Sequence, residues 1–252
     1  MECIYAEDNL GAQKPLTERL LTELRNTENV NVLWLVSGGS NIALSVAVMN
    51  QLPDDLTSKL TVVLTDERFG PVGHPDSNLQ QLVAAGFDPK QATVIGVLMP
   101  GVALAETCER YNTIIAGAFA AASVSIAQFG IGSDGHIAGI LPGSPALDSQ
   151  ELVTGYETPQ YTRITLTMLG LRKISVAYAF AFGDSKLTAL TNLRDKDIAL
   201  GNQPSQVLKQ ISESYVYSDQ FIRRLIKRGT PYENSNPRPR PHGHADCRKA
   251  RS

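Results

Sequence analysis

Phe129-Gly-Ile-Gly-Ser-Asp-Gly-His-Ile-Ala-Gly-Ile-Leu-Pro-Gly-Ser-Pro145 is the stretch on which the fold turns. An apolar run from Val124 to Ile131 leads into it and predicts a buried strand. The run stops at Gly132, and Asp134-Gly135-His136 follow at once. Glycines on both sides let the backbone turn sharply and approach a ligand. In an open α/β sheet, ligands sit just past the carboxyl ends of strands, where this segment would place Asp134 and His136. Imidazole is the side chain best suited to proton transfer near neutral pH. Taken alone, the motif reads equally well as a Gly-rich turn with a surface histidine. The other strand ends decide between the two.

Upstream, leucines at 16, 20, 21 and 24 predict a helix over 15–26. Val30 to Val36 is a short Val/Leu-rich run, long enough for a buried strand only. It ends in Ser37-Gly38-Gly39-Ser40, and Ile42 to Met49 reads as a helix. Strand, Gly-rich turn and helix together aim backbone N–H groups at an anion. Gly38, Gly39 and Ser40 are therefore phosphate-binding candidates. Leu60 to Leu64 predicts the next strand. It ends in Thr65-Asp66-Glu67-Arg68, with Ser77-Asn78 before a helical run from Leu79. Three charges in a row predict either a solvated loop or a ligand site. Arg68 suits a bidentate phosphate contact, and Asp66 a sugar hydroxyl or an orienting role. His74, between Gly73 and Pro75, reads as an exposed loop residue.

A strand over 93–98 and an Ala-rich helix over 102–121 complete the approach to the central motif. Beyond Pro145 the pattern is less regular. Arg163 to Thr167 alternates as a strand, 168–173 as a turn or short helix, and Ile174 to Phe182 as a strongly β-prone run. Gly183-Asp-Ser-Lys186 then opens a helix through Leu193, which puts the Lys186 cation where the helix dipole disfavours it. A bound phosphate would resolve that conflict. A short helix over 203–211, a strand at 215–217 and a closing helix over 221–226 end the domain. The alternation predicts an α/β fold, Rossmann-like, with a mostly parallel sheet and helices on both faces.

With 252 residues, 42% hydrophobic and 19% charged, the chain suits one α/β domain over 1–226. From Lys227 onward it becomes rich in Pro and Arg, predicting a disordered basic tail over 227–252. The net charge of −2 divides into +5 for that tail and −7 for the body, which argues against nucleic-acid binding. Cys3, Cys108 and Cys247 are odd in number and scattered, as expected in a reducing compartment. No leader pattern opens the chain, and no run approaches the ~18 apolar residues of a membrane span. The expectation is a cytoplasmic protein, monomeric or homodimeric, without membrane or nucleic-acid partners. No His/Cys/Asp/Glu set has metal-ligand spacing. Neither metal nor cofactor is expected.

Four separated motifs, SGGS (37–40), DERF…HPDSN (66–78), GIGSDGHIAGILPGSPAL (130–147) and RITLTMLGLRKI…GDSK (163–186), together resemble the 6-phosphogluconolactonase family. They span residues 10–220 in the family's order. The glucosamine-6-phosphate deaminases share the superfamily, its sheet and its sugar-phosphate site. They carry a glutamate before the proline that follows the histidine, where this chain has Leu141, and a D-E-Y turn where it has Asp66-Glu67-Arg68. The chain departs from the lactonase pattern at Asn41-Ile42, in place of Thr-Pro, and at Ile137, Gly139, Ile140 and Leu141 in the T-A-S-L-F-P-G segment.

The resemblance implies hydrolysis of 6-phospho-D-glucono-1,5-lactone, a small phosphorylated sugar lactone, to 6-phosphogluconate. His136 would be the general base, with Asp134 or Asp66 orienting it or binding hydroxyls. The turn at Gly38, Gly39 and Ser40 would hold the phosphate, together with Arg68, Arg163 and Lys186. A non-catalytic sugar-phosphate binder is the alternative from another functional class. A deaminase-like enzyme is a third.

Overall fold

The computed structural model describes residues 1–9 and 11–221. The expected tail over 227–252, and all but Phe221 of the expected closing helix, lie outside the described residues. Among the described residues, ten strands and six α-helices are joined by short 3-10 turns. The order is β1 (Glu2–Tyr5), α1 (Gln13–Arg25), β2 (Val32–Val36), α2 (Ile42–Gln51), β3 (Leu60–Leu64), β4 (Asp66–Arg68), α3 (Asn78–Ala84) and β5 (Thr93–Ile95). Then come α4 (Leu104–Ala121), β6 (Val124–Phe129), β7 (Val153–Glu157), β8 (Thr162–Leu166), α5 (Met168–Leu171), β9 (Val176–Phe180), α6 (Leu187–Asp195) and β10 (Glu213–Ser218).

Seven strands form a parallel sheet in the order β1-β10-β9-β6-β2-β3-β5. All five residues of β2 and of β9 are buried, so the central strands are covered on both faces. Trp34 is paired with Val62 on one side and Ile126 on the other, with no exposed surface. In α4, Thr107, Tyr111, Ile115 and Ala118 form the buried stripe that a 3.6-residue period dictates. The Tyr111 hydroxyl accepts from Leu64 N–H at 3.1 Å and donates to Leu64 C=O at 2.7 Å, which fixes the end of β3.

The strand order explains where a ligand can bind. From β2 the chain adds β3 and β5 on one side, then returns to lay β6 on the other. The carboxyl ends of β2 and β6 thus flank the point where the order reverses, the crevice that open α/β sheets use for ligands. The Ser37–Ser40 turn leaves β2 there, and the Gly130–His136 segment leaves β6.

Three strands are absent from the sequence reading. β1 is short and partly exposed, and pairs with β10. β4 and β7 flank β8 in a three-stranded antiparallel sheet, β4-β8-β7. β4 consists of Asp66, Glu67 and Arg68, so the charged stretch is neither a solvated loop nor irregular. Asp66 and Glu67 are buried, and their backbone pairs with Thr165 and Ile164. Cross-strand partners outweighed the low strand propensity of three charges. The segment at 174–182 is shorter as a strand than expected, and Lys186 stands at the N-cap of α6 after a single 3-10 turn. Cys3 and Cys108 are free thiols, while Cys247 lies outside the described residues. Among the described residues no helix is long and apolar enough to cross a membrane.

Candidate active site

Beyond β6 the chain folds into a tight turn. Gly132 N–H donates to His136 C=O at 2.9 Å, and Gly135 N–H to Gly132 C=O at 3.0 Å. Gly135 has φ +82°, open to glycine at little cost. A Cβ on Gly132 would lie 2.0 Å from His136 Nδ1 and 2.5 Å from Asp134 Oδ1. The glycine therefore leaves the space that the Asp134–His136 pair fills. Asp134 Oδ1 is 2.6 Å from His136 Nδ1 and accepts the His136 backbone N–H at 3.1 Å. Partial burial tends to raise the Asp134 carboxyl. The His136 backbone N–H and the imidazole outweigh it and hold the group below its ordinary value. An ionised Asp134 places the ring proton on Nδ1 and leaves Nε2 as the basic nitrogen. The imidazole is about a third exposed (35%), so Nε2 can meet a small molecule.

Across the crevice, Gly39 turns at φ +64° into a 3-10 turn over 39–41, and α2 follows. Ser40 is exposed; its carbonyl accepts from Asn9 Nδ2 at 3.0 Å. A Cβ on Gly38 would strike Asn78 Oδ1 at 1.9 Å, so Gly38 is required by the close approach of α3. Asn41, one of the departures from the family pattern, has no exposed surface. Its Oδ1 and Nδ2 have no partner among the described residues. Gly139, another departure, is crowded: a Cβ there would meet Asp66 Cβ at 3.0 Å and Thr165 Cβ at 2.9 Å.

The antiparallel sheet brings the cations in. Arg68 and Arg163 are direct cross-strand partners in β4 and β8. Arg68 Nη1 donates to Asp76 C=O at 2.7 Å, and Arg163 Nη1 lies 3.9 Å from Asp66 Oδ2. Both guanidinium groups face the ring of Tyr161, at 5.2 and 5.8 Å from its centroid. Glu67 points elsewhere. Its carboxylate accepts from the backbone N–H groups of Arg68, Asn78 and Leu79, at 2.7, 2.6 and 3.1 Å, and from Ser77 Oγ at 2.9 Å. It caps the N-terminus of α3. His74 is half-buried rather than exposed, because its Nε2 donates to Arg68 C=O at 2.9 Å.

One cavity of about 310 Å³ joins these parts, within the range of small-ligand sites. Gly38, Gly39, Ser40, Asp66, Arg68, His136, Arg163 and Lys186 all line it. Asp134 does not; it stands behind His136. No hydrogen bond or ion pair joins Asp66 to the imidazole among the described residues: its carboxylate accepts from Thr65 Oγ1 at 3.1 Å and faces Arg163. The geometry thus gives the orienting contact to Asp134 alone. Lys186 is half-buried; its backbone N–H donates to Gly183 C=O at 3.0 Å, and its ammonium has no hydrogen bond or ion pair among the described residues. The sequence reading missed Tyr161, Gln160, Asn78 and Ala138, which also line the cavity. Nothing in the sequence marks Ala138; its φ of +50°, uncommon for a non-glycine residue, is visible only in the structure. Among the described residues no group of three His, Cys, Asp or Glu side chains could hold a metal ion.

Residues 10–217 match the family model described as glucosamine-6-phosphate isomerases/6-phosphogluconolactonase. The chain belongs to this family. Family relatives include a 6-phosphogluconolactonase of Pseudomonas aeruginosa, 29% identical over 196 residues, spanning 73% of this chain and 80% of the relative. The Xylella fastidiosa 6-phosphogluconolactonase is 31% identical over 202 residues, with the same coverage, 73% and 80%. Among solved structures, a 6-phosphogluconolactonase from Shewanella baltica superposes with a TM-score of 0.74 at 18% identity. That match covers 86% of this chain and 97% of the other, and it shows the shared fold.

Proposed function

We propose that the protein hydrolyses 6-phospho-D-glucono-1,5-lactone to 6-phosphogluconate, with His136 as general base. One observation carries the reading. An Asp134-oriented imidazole shares a single cavity with a helix-opening Gly-rich turn and three cations. The family membership and the names of the curated relatives point the same way.

In the reaction, His136 Nε2 takes a proton from water as the water oxygen adds to the lactone carbonyl carbon. The tetrahedral oxyanion then collapses and the bond from that carbon to the ring oxygen breaks. The imidazolium returns its proton to the ring oxygen, leaving a hydroxyl and a carboxylic acid that ionises. Asp134 stabilises the transient imidazolium and keeps the tautomer productive. The Gly39 and Ser40 N–H groups, with Arg68, Arg163 and Lys186, hold the phosphate dianion and so place the carbonyl near Nε2. A lactone is already electrophilic, so one base and firm positioning are enough.

The decisive measurement is hydrolysis of freshly generated lactone, corrected for its spontaneous rate. Wild type should accelerate it, and His136→Ala should lower kcat by about 10²–10⁴-fold, the usual share of general acid–base assistance. Near-normal turnover by His136→Ala would remove the proposed base. Binding of 6-phosphogluconate without turnover by wild type would point to a non-catalytic binder. Release of ammonia from glucosamine 6-phosphate would instead mark a deaminase; Leu141 supplies no carboxylate for that chemistry.

A further inference from the structure

We infer that Tyr161 is a positioning residue whose ring holds Arg68 and Arg163 together as a preformed cradle for the substrate's phosphate, an inference that rests on the proposed lactonase reading. The starting point is a conflict in the antiparallel sheet. Arg68 and Arg163 stand directly opposite each other, an arrangement of like charges that disfavours strand pairing. Little neutralises them. Among the described residues Arg163 has one carboxylate partner, Asp66, at 3.9 Å, beyond direct hydrogen-bond distance. Arg68 has a backbone carbonyl and no carboxylate partner among the described residues. The Nε atoms of both are buried and have no hydrogen-bond partner among the described residues.

Two cations in such a position, left to themselves, would swing apart into solvent. The Tyr161 ring counters this. Both guanidinium carbons lie within 6 Å of its centroid, the range in which the negative face of an aromatic ring attracts a cation. The backbone that carries the ring is held in place. Thr158 to Tyr161 is the loop between β7 and β8, and it is closed by three bonds. Thr158 N–H and Thr158 Oγ1 donate to Tyr161 C=O at 2.9 and 2.7 Å, and Tyr161 N–H donates to Thr158 Oγ1 at 3.1 Å. The Tyr161 hydroxyl has no hydrogen bond among the described residues, so the aromatic face is the part of the side chain in use.

A dianionic phosphate would complete this arrangement. It would neutralise the opposed charges and meet two guanidinium groups whose freedom has already been spent, which is the benefit of preorganisation. Tyr161 thereby sets phosphate affinity and leaves the proton transfers at His136 alone.

The test compares Tyr161→Leu, which keeps apolar bulk but has no π face, with Tyr161→Phe, which keeps the ring. Lactone kinetics and calorimetric binding of inorganic phosphate are measured on the full chain, with a thermal melt to establish folding. Tyr161→Leu should raise KM and the phosphate Kd by about tenfold, the scale of two lost cation–π contacts, with kcat within about twofold. Tyr161→Phe should stay within about twofold of wild type on every readout. Unchanged phosphate binding by Tyr161→Leu would overturn the inference, as would an equal loss in Tyr161→Phe or a fall in kcat with KM unchanged. If wild type binds phosphate but hydrolyses no lactone, the proposed function fails. The phosphate titrations of the two variants then still decide the role of Tyr161.

Discussion

Glu67 and Asp134 stand one strand apart at the same sheet edge, Glu67 just beyond β3 and Asp134 just beyond β6, on either side of β2. Each is a carboxylate within two residues of a member of the proposed site, Arg68 or His136. Their surroundings separate them. Glu67 is 1% exposed and accepts four hydrogen bonds, three of them from backbone N–H groups. Burial pushes its carboxyl above the ordinary value, although those donors pull the other way. Asp134 is about half exposed, gives its contacts to His136, and is held below the ordinary value. One carboxylate holds the fold and the other holds a side chain. Charge at a strand end does not distinguish these roles; the donors that surround it do.

The largest effect that would break this contrast lies at Glu67. Glu67→Ala strands the N–H groups of Asn78 and Leu79 and the Ser77 hydroxyl in a buried setting. Unfolding in urea should show a loss of about 3–4 kcal/mol. Substrate binding should weaken only through the shifted Arg68 and α3. A loss under 1 kcal/mol with collapsed turnover would make Glu67 a catalytic group. At Asp134 the pattern should invert. Asp134→Ala should lower kcat by about 100-fold, because the imidazole loses both its tautomer and its orientation. Stability should change by about 1 kcal/mol or less at so exposed a position. A variant that loses stability and keeps kcat would reverse the assignment.

That contrast was only half legible in the sequence. The turns after β2 and β6 could be read because glycines at strand ends are local signals. Gly132 and Gly38 prove necessary for a steric reason, the bulk of His136 and Asn78, that sequence cannot display. Asp66 and Asp134 remained interchangeable as partners of His136, since the choice depends on a turn geometry two residues long. Glu67 could have been read as a cap from Ser77-Asn78 ahead of a helical run, but only by knowing that β4 passes beneath α3. The pairing of Arg68 with Arg163, and Tyr161 beside both, arises from an antiparallel register between distant segments. No local pattern encodes such a register. Asn41 read as a departure from the family's Thr; in the structure its side chain is a buried amide without a hydrogen-bond partner among the described residues.

The smallest expected effect is the sharpest test of the two environments, because it predicts opposite signs. Ordinary carboxyl values in the unfolded chain are about 3.9 for Asp and about 4.3 for Glu. Glu67 is raised on folding, so its titration contributes stability that is fully present below about pH 4.3. That contribution is lost as pH rises through the folded value. Asp134 is lowered, so its contribution is present above about pH 3.9 and lost as pH falls through the folded value. Urea unfolding of wild type, Glu67→Gln and Asp134→Asn from pH 3 to 7 isolates each one, since every other group cancels in the differences. The gap between wild type and Glu67→Gln should narrow as pH rises above about 4.3. The gap to Asp134→Asn should widen as pH rises towards about 3.9 and then stay level, with a smaller amplitude because solvent screens the exposed pair. Parallel slopes would mean that the two carboxylates share one kind of environment. A Glu67 gap that widened with pH would mean that its four donors outweigh burial, making Glu67 an anion stabilised by the helix end it caps.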